Sequence, residues 1–286
     1  MCACDHCNDS PSFDALIAGS GLPRIEARAL LEHSSGKSRE WLVAHGDEQA
    51  QSALVERFRN LCQRRLGGEP LAYLVGEREF HGRKFKVDNS VLIPRPETET
   101  LVELAAAAAP PGARILELGT GSGCIAITLN CLRSDLTILA TDISPPALAL
   151  AQGNAMRHCP QALQATHLRF RQGSWWSALK AGECFELILA NPPYVAAADP
   201  HLAQGDLRFE PAGALACGDD GLDAIRTICA GAPAHLGTAG TLLLEHGYDQ
   251  GQEVRGLFRA AGFEQIATVR DPAGLERVTT GRMPGS

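Results

Sequence analysis

The tightest constraint in the chain lies where the apolar run Phe185, Leu187, Ile188, Leu189, Ala190 meets Asn191-Pro192-Pro193-Tyr194. The run is short and is followed at once by prolines that cannot continue a hydrogen-bonded ladder, so it reads as a buried parallel strand that must stop there. In open α/β sheets the carboxyl edge of the strands is where ligands bind, and here a stiff turn presents an amide and a tyrosine to that crevice. Neither proline carries an N–H, and no regular helix starts there to consume the carbonyls. Asn191 Oδ1 and the Pro192 carbonyl are thus two acceptors close together, a pair suited to a planar –NH2 group with its two donors. The same residues also read as a plain strand-ending turn with an Asx-type hydrogen bond, so the preceding chain must decide.

That context is a second strand and turn. Ile115-Leu116-Glu117-Leu118 is a short apolar strand, Gly119-Thr120-Gly121-Ser122-Gly123 a glycine turn, and residues 124–132 a helix with Ile125, Ile127 and Leu129. Such a βα unit lets a ligand touch backbone. The third glycine comes two residues after the second, whereas the dinucleotide fingerprint needs three, so the loop suits a nucleoside cofactor without a pyrophosphate. A further strand over 136–140 ends in Thr141-Asp142, about twenty residues past the loop, where a carboxylate can accept ribose hydroxyls. Helix 144–156 and strand 168–171 follow, and Trp175 at that strand's end either covers an aromatic ring of a ligand or simply packs. Strands over 241–245, 266–269 and 277–280, with a helix over 250–261, complete an α/β sheet with an antiparallel closing pair.

The 286 residues exceed the usual single domain, which predicts a smaller domain beside a larger one. Residues 10–75 read as a helical bundle: one helix opens at Pro23-Arg24, carries Ile25, Ala29 and Leu30, and stops at Gly36. A second runs over 51–66 with Ala53, Leu54, Phe58 and Leu61 on one face, and Arg57, Arg59, Arg64 and Arg65 form a solvated face. Between Glu79 and Ile93 the period changes to two, with Gly82 as the turn, predicting a β-hairpin that links the domains. In Ile93-Pro94-Arg95-Pro96-Glu97-Thr98-Glu99, two prolines fix an extended entry and Thr98 or Glu97 can cap the helix beginning near Glu99. The expected boundaries are 1–78 for the helical domain, 79–93 for the hairpin and 94–286 for the sheet domain.

Neither a signal peptide nor a membrane span is visible, so the ten cysteines read as reduced thiols in a cytoplasmic protein, with Cys124, Cys131, Cys184 and Cys229 as core fillers. The Cys2, Cys4, His6, Cys7 cluster has no standard zinc spacing, and no metal site is expected. A net charge of −7 argues against a phosphate backbone as the main partner.

Glu117-Leu-Gly-Thr-Gly-Ser-Gly, Asp142 and Asn191-Pro-Pro-Tyr together resemble the S-adenosylmethionine-dependent methyltransferases that modify planar amino groups. Arg95-Pro-Glu-Thr-Glu99, Arg208-Phe209-Glu210-Pro211, Glu245-His246-Gly247-Tyr248, Gln250, Glu276-Arg277-Val278-Thr279 and Gly68-Glu69-Pro70-Leu71 narrow the likeness to the HemK/PrmC family. The resemblance spans nearly the whole chain from Ile25. It implies a seven-stranded, Rossmann-like class I methyltransferase sheet and transfer of a methyl group from S-adenosyl-L-methionine to the glutamine N5 of the Gly-Gly-Gln loop in peptide chain release factors. Related enzymes act on a ribosomal protein glutamine, or on a nucleobase amine. Carried over, it implies that Glu117, Leu118, Gly119, Thr120 and Gly121 surround the methionine part of the cofactor. Asp142 holds the ribose, Trp175 lies by the adenine, and Asn191 with Pro192, Pro193 and Tyr194 grips and orients the amide. The family commonly has aspartate where this chain has Ser174. The helical domain is expected to help dock the release factor, with no direct nucleic-acid or membrane contact and a monomer when free.

Overall fold

The computed structural model describes residues 10–285, so the Cys2, Cys4, His6, Cys7 cluster lies outside the described residues. Two compact units emerge, Met1–Gly76 and Glu77–Ser286.

The first is helical: α1 (Phe13–Ala18), α2 (Arg24–Ser35), α3 (Arg39–Ala44), α4 (Ser52–Leu66) and α5 (Leu71–Val75). Ser12 and Ser38 cap α1 and α3 through their hydroxyls, and Gly36 and Gly76 close α2 and α5 in the left-handed conformation. Ile25, expected inside, is 84% exposed, and Ala27, Leu30 and Leu31 form the seam of α2 instead. At 100° per residue Ile25 sits about 140° around the helix from Leu30, too far to share its face. In α4 the expected Ala53 is exposed, and the buried stripe is Leu54, Val55, Phe58 and Cys62. Arg64 and Arg65 are not merely solvated: they pair with Glu69 and Glu26, the latter tying α4 to α2. The sequence reading does not reach α1, α3 and α5, whose five or six residues are too few to show a period.

The second unit begins with an antiparallel hairpin of β1 (Glu77–Phe80) and β2 (Arg83–Lys86). It is shorter than expected. Val87, Val91 and Ile93 are buried but lie outside the strands, and Phe80 and Phe85 pack into the core of the sheet unit. After Pro96–Thr98, a single 3₁₀ turn, come α6 (Glu99–Ala108), β3 (Arg114–Leu118), α7 (Cys124–Leu132), β4 (Thr137–Asp142) and α8 (Pro145–His158). The chain continues through α9 (Pro160–Gln164), β5 (Leu168–Gln172), β6 (Phe185–Ala190), α10 (Ala212–Leu215), α11 (Asp223–Gly231), β7 (Leu236–Glu245), α12 (Gly251–Ala260), β8 (Glu264–Arg270) and β9 (Glu276–Arg282). The large sheet runs β5-β4-β3-β6-β7-β9-β8, parallel from β5 to β7 and antiparallel at β9 and β8. β6 lies at its centre. Alternation sends Ile115, Leu187, Leu189 and Leu243 into one core with α6, α7, α8 and the hairpin, and Leu116, Ile188, Leu242 and Leu244 into the other with α11 and α12.

Two small residues lock α8 under the glycine turn. Asn154 is fully buried, and its amide bonds the Lys86 backbone in both directions and the Ser122 carbonyl. Gly123 has φ +80°, and a Cβ there would stand 2.8 Å from Ile127 Cδ1 and 3.1 Å from Ala151 Cβ. Gly123→Ala is therefore expected to destabilise the protein by about 3 kcal/mol, combining left-handed backbone and overpacking. Gly121, at φ +53° with nothing within 4 Å of its missing Cβ, should cost about 1 kcal/mol on the same change. Denaturant titration of the two variants checks the difference, and equal losses would refute the packing argument.

Candidate active site

The glycine turn is shaped by its neighbour strand. The amides of Gly119 and Thr120 both donate to the Thr141 carbonyl at 2.9 Å, and the Gly121 amide donates to Asp142 Oδ2 at 2.9 Å. Asp142 Oδ1 accepts from the Ser144 amide. One carboxylate thus fixes the loop and the start of α8 while keeping lone pairs for a guest. Trp175 follows β5 with φ +44°, a strained conformation for a non-glycine residue. Its ring comes to 3.6 Å from where a Gly119 Cβ would be, an approach that a side chain at Gly119 would hinder. Ser174 turns its hydroxyl to the local backbone in a capping box with Ser177.

A cavity of about 450 Å³ opens over this edge, within the range of small-molecule sites. Gly119, Thr120, Gly121, Asp142, Trp175, Asn191 and Pro193 line it, as do Thr98, Arg95 and Pro211. Glu117, Leu118, Pro192 and Tyr194 are not on that wall. Glu117 and Leu118 are buried in β3, and Tyr194 turns its hydroxyl to Glu245 Oε1 at 3.3 Å.

Asn191 Nδ2 donates to Thr98 Oγ1 at 3.1 Å, whereas Asn191 Oδ1 is buried with no hydrogen-bond partner. The sequence marks Thr98 as a candidate helix cap, but its side chain makes no such bond. Arg95 is held by the buried carboxylate of Glu210, which also accepts from the Ile93 amide at 3.0 Å. Gln250 donates to the Tyr194 carbonyl at 3.0 Å and accepts from the Gly247 amide. Glu210, Glu245 and Gln250 fall within motifs legible in the sequence, yet sequence reasoning gives none of them a place in the site. Glu210 and Glu245 are buried, and Gln250, half-buried at the start of α12, spends its side chain on the Tyr194 and Gly247 backbone and not on the helix.

Glu117 and Glu245 are fully buried, and each keeps one oxygen without a partner. Burial lifts the Glu117 carboxyl from 4.5 to about 7, with the Asp142 charge adding and the Thr120 hydroxyl, 2.6 Å away, opposing. Burial lifts Glu245 to about 7 as well, opposed by the Thr98 hydroxyl, Arg277 and the Tyr194 hydroxyl. Cys124, between them on the cavity wall, has its thiol pushed up to about 12 by burial and is inert. For Glu117 the folded chain holds its proton to about pH 7 while the unfolded chain releases it near 4.5, so ionisation costs stability progressively as pH rises across that window. The full cost above it is on the order of 3 kcal/mol. Glu117→Gln should therefore raise Tm by about 5 °C at pH 8 and change it little at pH 5. Thermal melts of both proteins across pH 5–8 check this; a pH-independent difference would contradict the buried-charge account.

Residues 16–76 match the family profile of the PrmC N-terminal domain, and residues 96–212 match that of the methyltransferase small domain. A release factor glutamine methyltransferase of Xylella fastidiosa is 48% identical over 279 residues, covering 96% of this chain and 99% of that protein. The Bordetella pertussis protein of the same name is 48% identical over 273 residues, covering 93% and 97%. A methyltransferase structure from Pyrococcus furiosus superposes with a TM-score of 0.54 at 15% identity, covering 79% of this chain and 99% of that one, a likeness of fold alone. By its near full-length identity to these relatives, the chain belongs to the release factor glutamine methyltransferase family.

Proposed function

We propose that this chain methylates the side-chain nitrogen, N5, of the glutamine in the Gly-Gly-Gln loop of peptide chain release factors, with S-adenosyl-L-methionine as donor. The observation that carries the reading is Asn191 Oδ1, an acceptor buried at the cavity edge without a partner. A buried unpaired acceptor costs about 1–3 kcal/mol, and a guest N–H relieves that cost. Two acceptors, Oδ1 and the Pro192 carbonyl, match the two N–H groups of a primary amide. Holding both raises electron density on a nitrogen whose lone pair is otherwise shared with its carbonyl, and it aims that nitrogen. Pro193 stiffens the turn, and Tyr194 braces it from Glu245 rather than from the cavity wall.

The donor set also fits the cofactor. When bound, S-adenosyl-L-methionine supplies an electrophilic methyl group on a sulfonium. Asp142 offers carboxylate lone pairs to ribose hydroxyls, Trp175 a flat surface to the base, and Gly119, Thr120 and Gly121 open backbone. Glu117, beneath the loop with Leu118, keeps an unpartnered oxygen close to a site for a cation. The helical unit contributes to docking of the release factor, and the chain works as a cytoplasmic monomer. No helix among the described residues is long and apolar enough to cross a membrane.

Incubation with labelled S-adenosylmethionine and, separately, a release factor, its Gln→Ala loop variant, a ribosomal large-subunit protein or DNA tests the reading. Label is expected on the intact release factor alone. Asn191→Ala should lower kcat about a hundredfold, the scale of a single preorganised hydrogen-bond group, with Tm unchanged. Label on DNA or on the loop variant, or near-normal turnover by Asn191→Ala, would overturn it.

A further inference from the structure

Gln250 stands just before α12, yet its side chain makes no cap bond to that helix. It turns back instead. The Gln250 N–H donates to the Gly247 carbonyl at 3.0 Å, and the Gly247 N–H donates to Gln250 Oε1 at 2.8 Å, so the turn 247–250 is closed in both directions. Because a backbone N–H can only donate, Oε1 is fixed on that side and Nε2 must face the other way. There Nε2 donates to the Tyr194 carbonyl at 3.0 Å and, at the longer distance of 3.4 Å, to the Asp220 carbonyl. Gly221, at φ +75°, closes the slot around the Tyr194 oxygen and has no room for a Cβ. Gly247 is in turn anchored to the sheet. Its carbonyl meets His246 Nδ1 at 2.8 Å, and His246 Nε2, fully buried, meets Thr279 Oγ1 of β9 at 2.8 Å.

We propose that Gln250 is a positioning residue for the methyl transfer: it ties the Asn191-Pro192-Pro193-Tyr194 turn to the end of β7 and so sets where Asn191 Oδ1 and the Pro192 carbonyl stand. The inference rests on the proposed function, in which those two acceptors hold the substrate amide. Both prolines have φ fixed by their rings, so the turn is stiff, and a shift of the Tyr194 carbonyl is passed back to Pro192 rather than absorbed. The tie that follows in the chain is no substitute. Val195 bonds Leu215 and Cys217, at the end of a four-residue helix and outside the sheet, whereas Gln250 leads through Gly247 and His246 to β9. The Tyr194 hydroxyl reaches Glu245 and holds the ring, not the backbone. A residue serving α12 alone would turn its side chain to the first amides of that helix.

Gln250→Leu keeps much of the bulk and removes both side-chain bonds. Its kcat on a release factor is expected to fall about tenfold, one hydrogen bond's worth, with KM for S-adenosylmethionine near that of the parent. Gln250→Glu supplies a readout that a merely structural tie would not move. Protonated, the new carboxyl has the O–H and the carbonyl oxygen that both bonds need; ionised, it can only accept, and it faces two carbonyl oxygens. Around it, Asp220 is paired with Arg226 and Glu276 with Arg255, and Asp249 precedes it in the chain. Facing carbonyls and a neighbouring carboxylate, it titrates above the ordinary carboxylate range. The kcat of Gln250→Glu relative to the parent is therefore expected to rise about tenfold as pH falls from about 8 to about 5, while the ratio for Gln250→Leu stays level. A parent-like kcat for Gln250→Leu, a loss carried by KM for S-adenosylmethionine, or a pH-independent ratio for Gln250→Glu overturns the inference. Should Gln250→Leu fail to fold, the pH profile of Gln250→Glu decides by itself. If Asn191→Ala keeps normal turnover, the proposed function fails instead, and that variant tells the two failures apart.

Discussion

Parallel pairing sets Leu118 beside Ala190 and Ala190 beside Leu244, so Gly119, Asn191 and Glu245 reach the edge of the sheet at one level. The cavity depends on that register. Gly119 leaves the ladder because its φ of +76° turns the chain back toward Thr141, and the chain leaves after Ala190 because prolines cannot extend a ladder. β7 instead carries its ladder through Glu245, where it still pairs with Val278 of β9. One strand therefore ends in open backbone, one in an amide, and one in a buried carboxylate. A slip of one residue in any strand would turn Glu117, Asn191 or Glu245 to the opposite face and dismantle all three.

Glu117 and Glu245 make the same trade. Each is buried deeply enough to hold its proton to about pH 7, which weakens the folded state at neutral pH. Each also leaves one buried oxygen unpartnered. Stability is given up where a charge or an acceptor is of use, the pattern expected of a site rather than of a core. Glu117 lies under the glycine turn, where it accepts from the Thr120 hydroxyl. Glu245 ends β7 beside Asn191, where it accepts from the Tyr194 hydroxyl.

The parallel strands were legible because apolar runs as short as Ile115–Leu118 and Phe185–Ala190 end in residues that forbid continuation, and glycine or proline marks such ends strongly. α7 was legible for a related reason, with its start fixed by the glycine turn. Ile25 and Ala53 are apolar yet exposed, and only the phase of the helix, which a few apolar positions leave open, separates them from buried residues of the same kind. Val87 and Val91 carry the even apolar spacing past the hairpin, yet both are buried outside its strands. In the site, Asn191, Asp142 and the glycines could be read from local chemistry. Thr98 could not, because its partner Asn191 is 93 residues away and its local context is that of a cap.

The same long-range logic explains the motif residues that have no chemistry of their own. Pro192 and Pro193 stiffen the turn but contribute no N–H, so they cannot anchor it by backbone donation. Anchoring must come from neighbouring segments. The Val195 amide donates to Leu215, the Cys217 amide donates to Val195, and Gln250 holds the Tyr194 carbonyl from the far side. Gly221 is glycine because a Cβ there would collide with the Tyr194 carbonyl oxygen. Glu210, just before the 212–215 helix, reaches the other wall and clamps Arg95 and the Ile93 amide. The Arg95 and Glu210 segments are therefore tied to each other at the cavity wall, and Gln250 holds the turn at the Tyr194 carbonyl. A motif whose prolines cannot tie themselves down needs such external ties, which is why its signature is spread over residues so far apart in the chain.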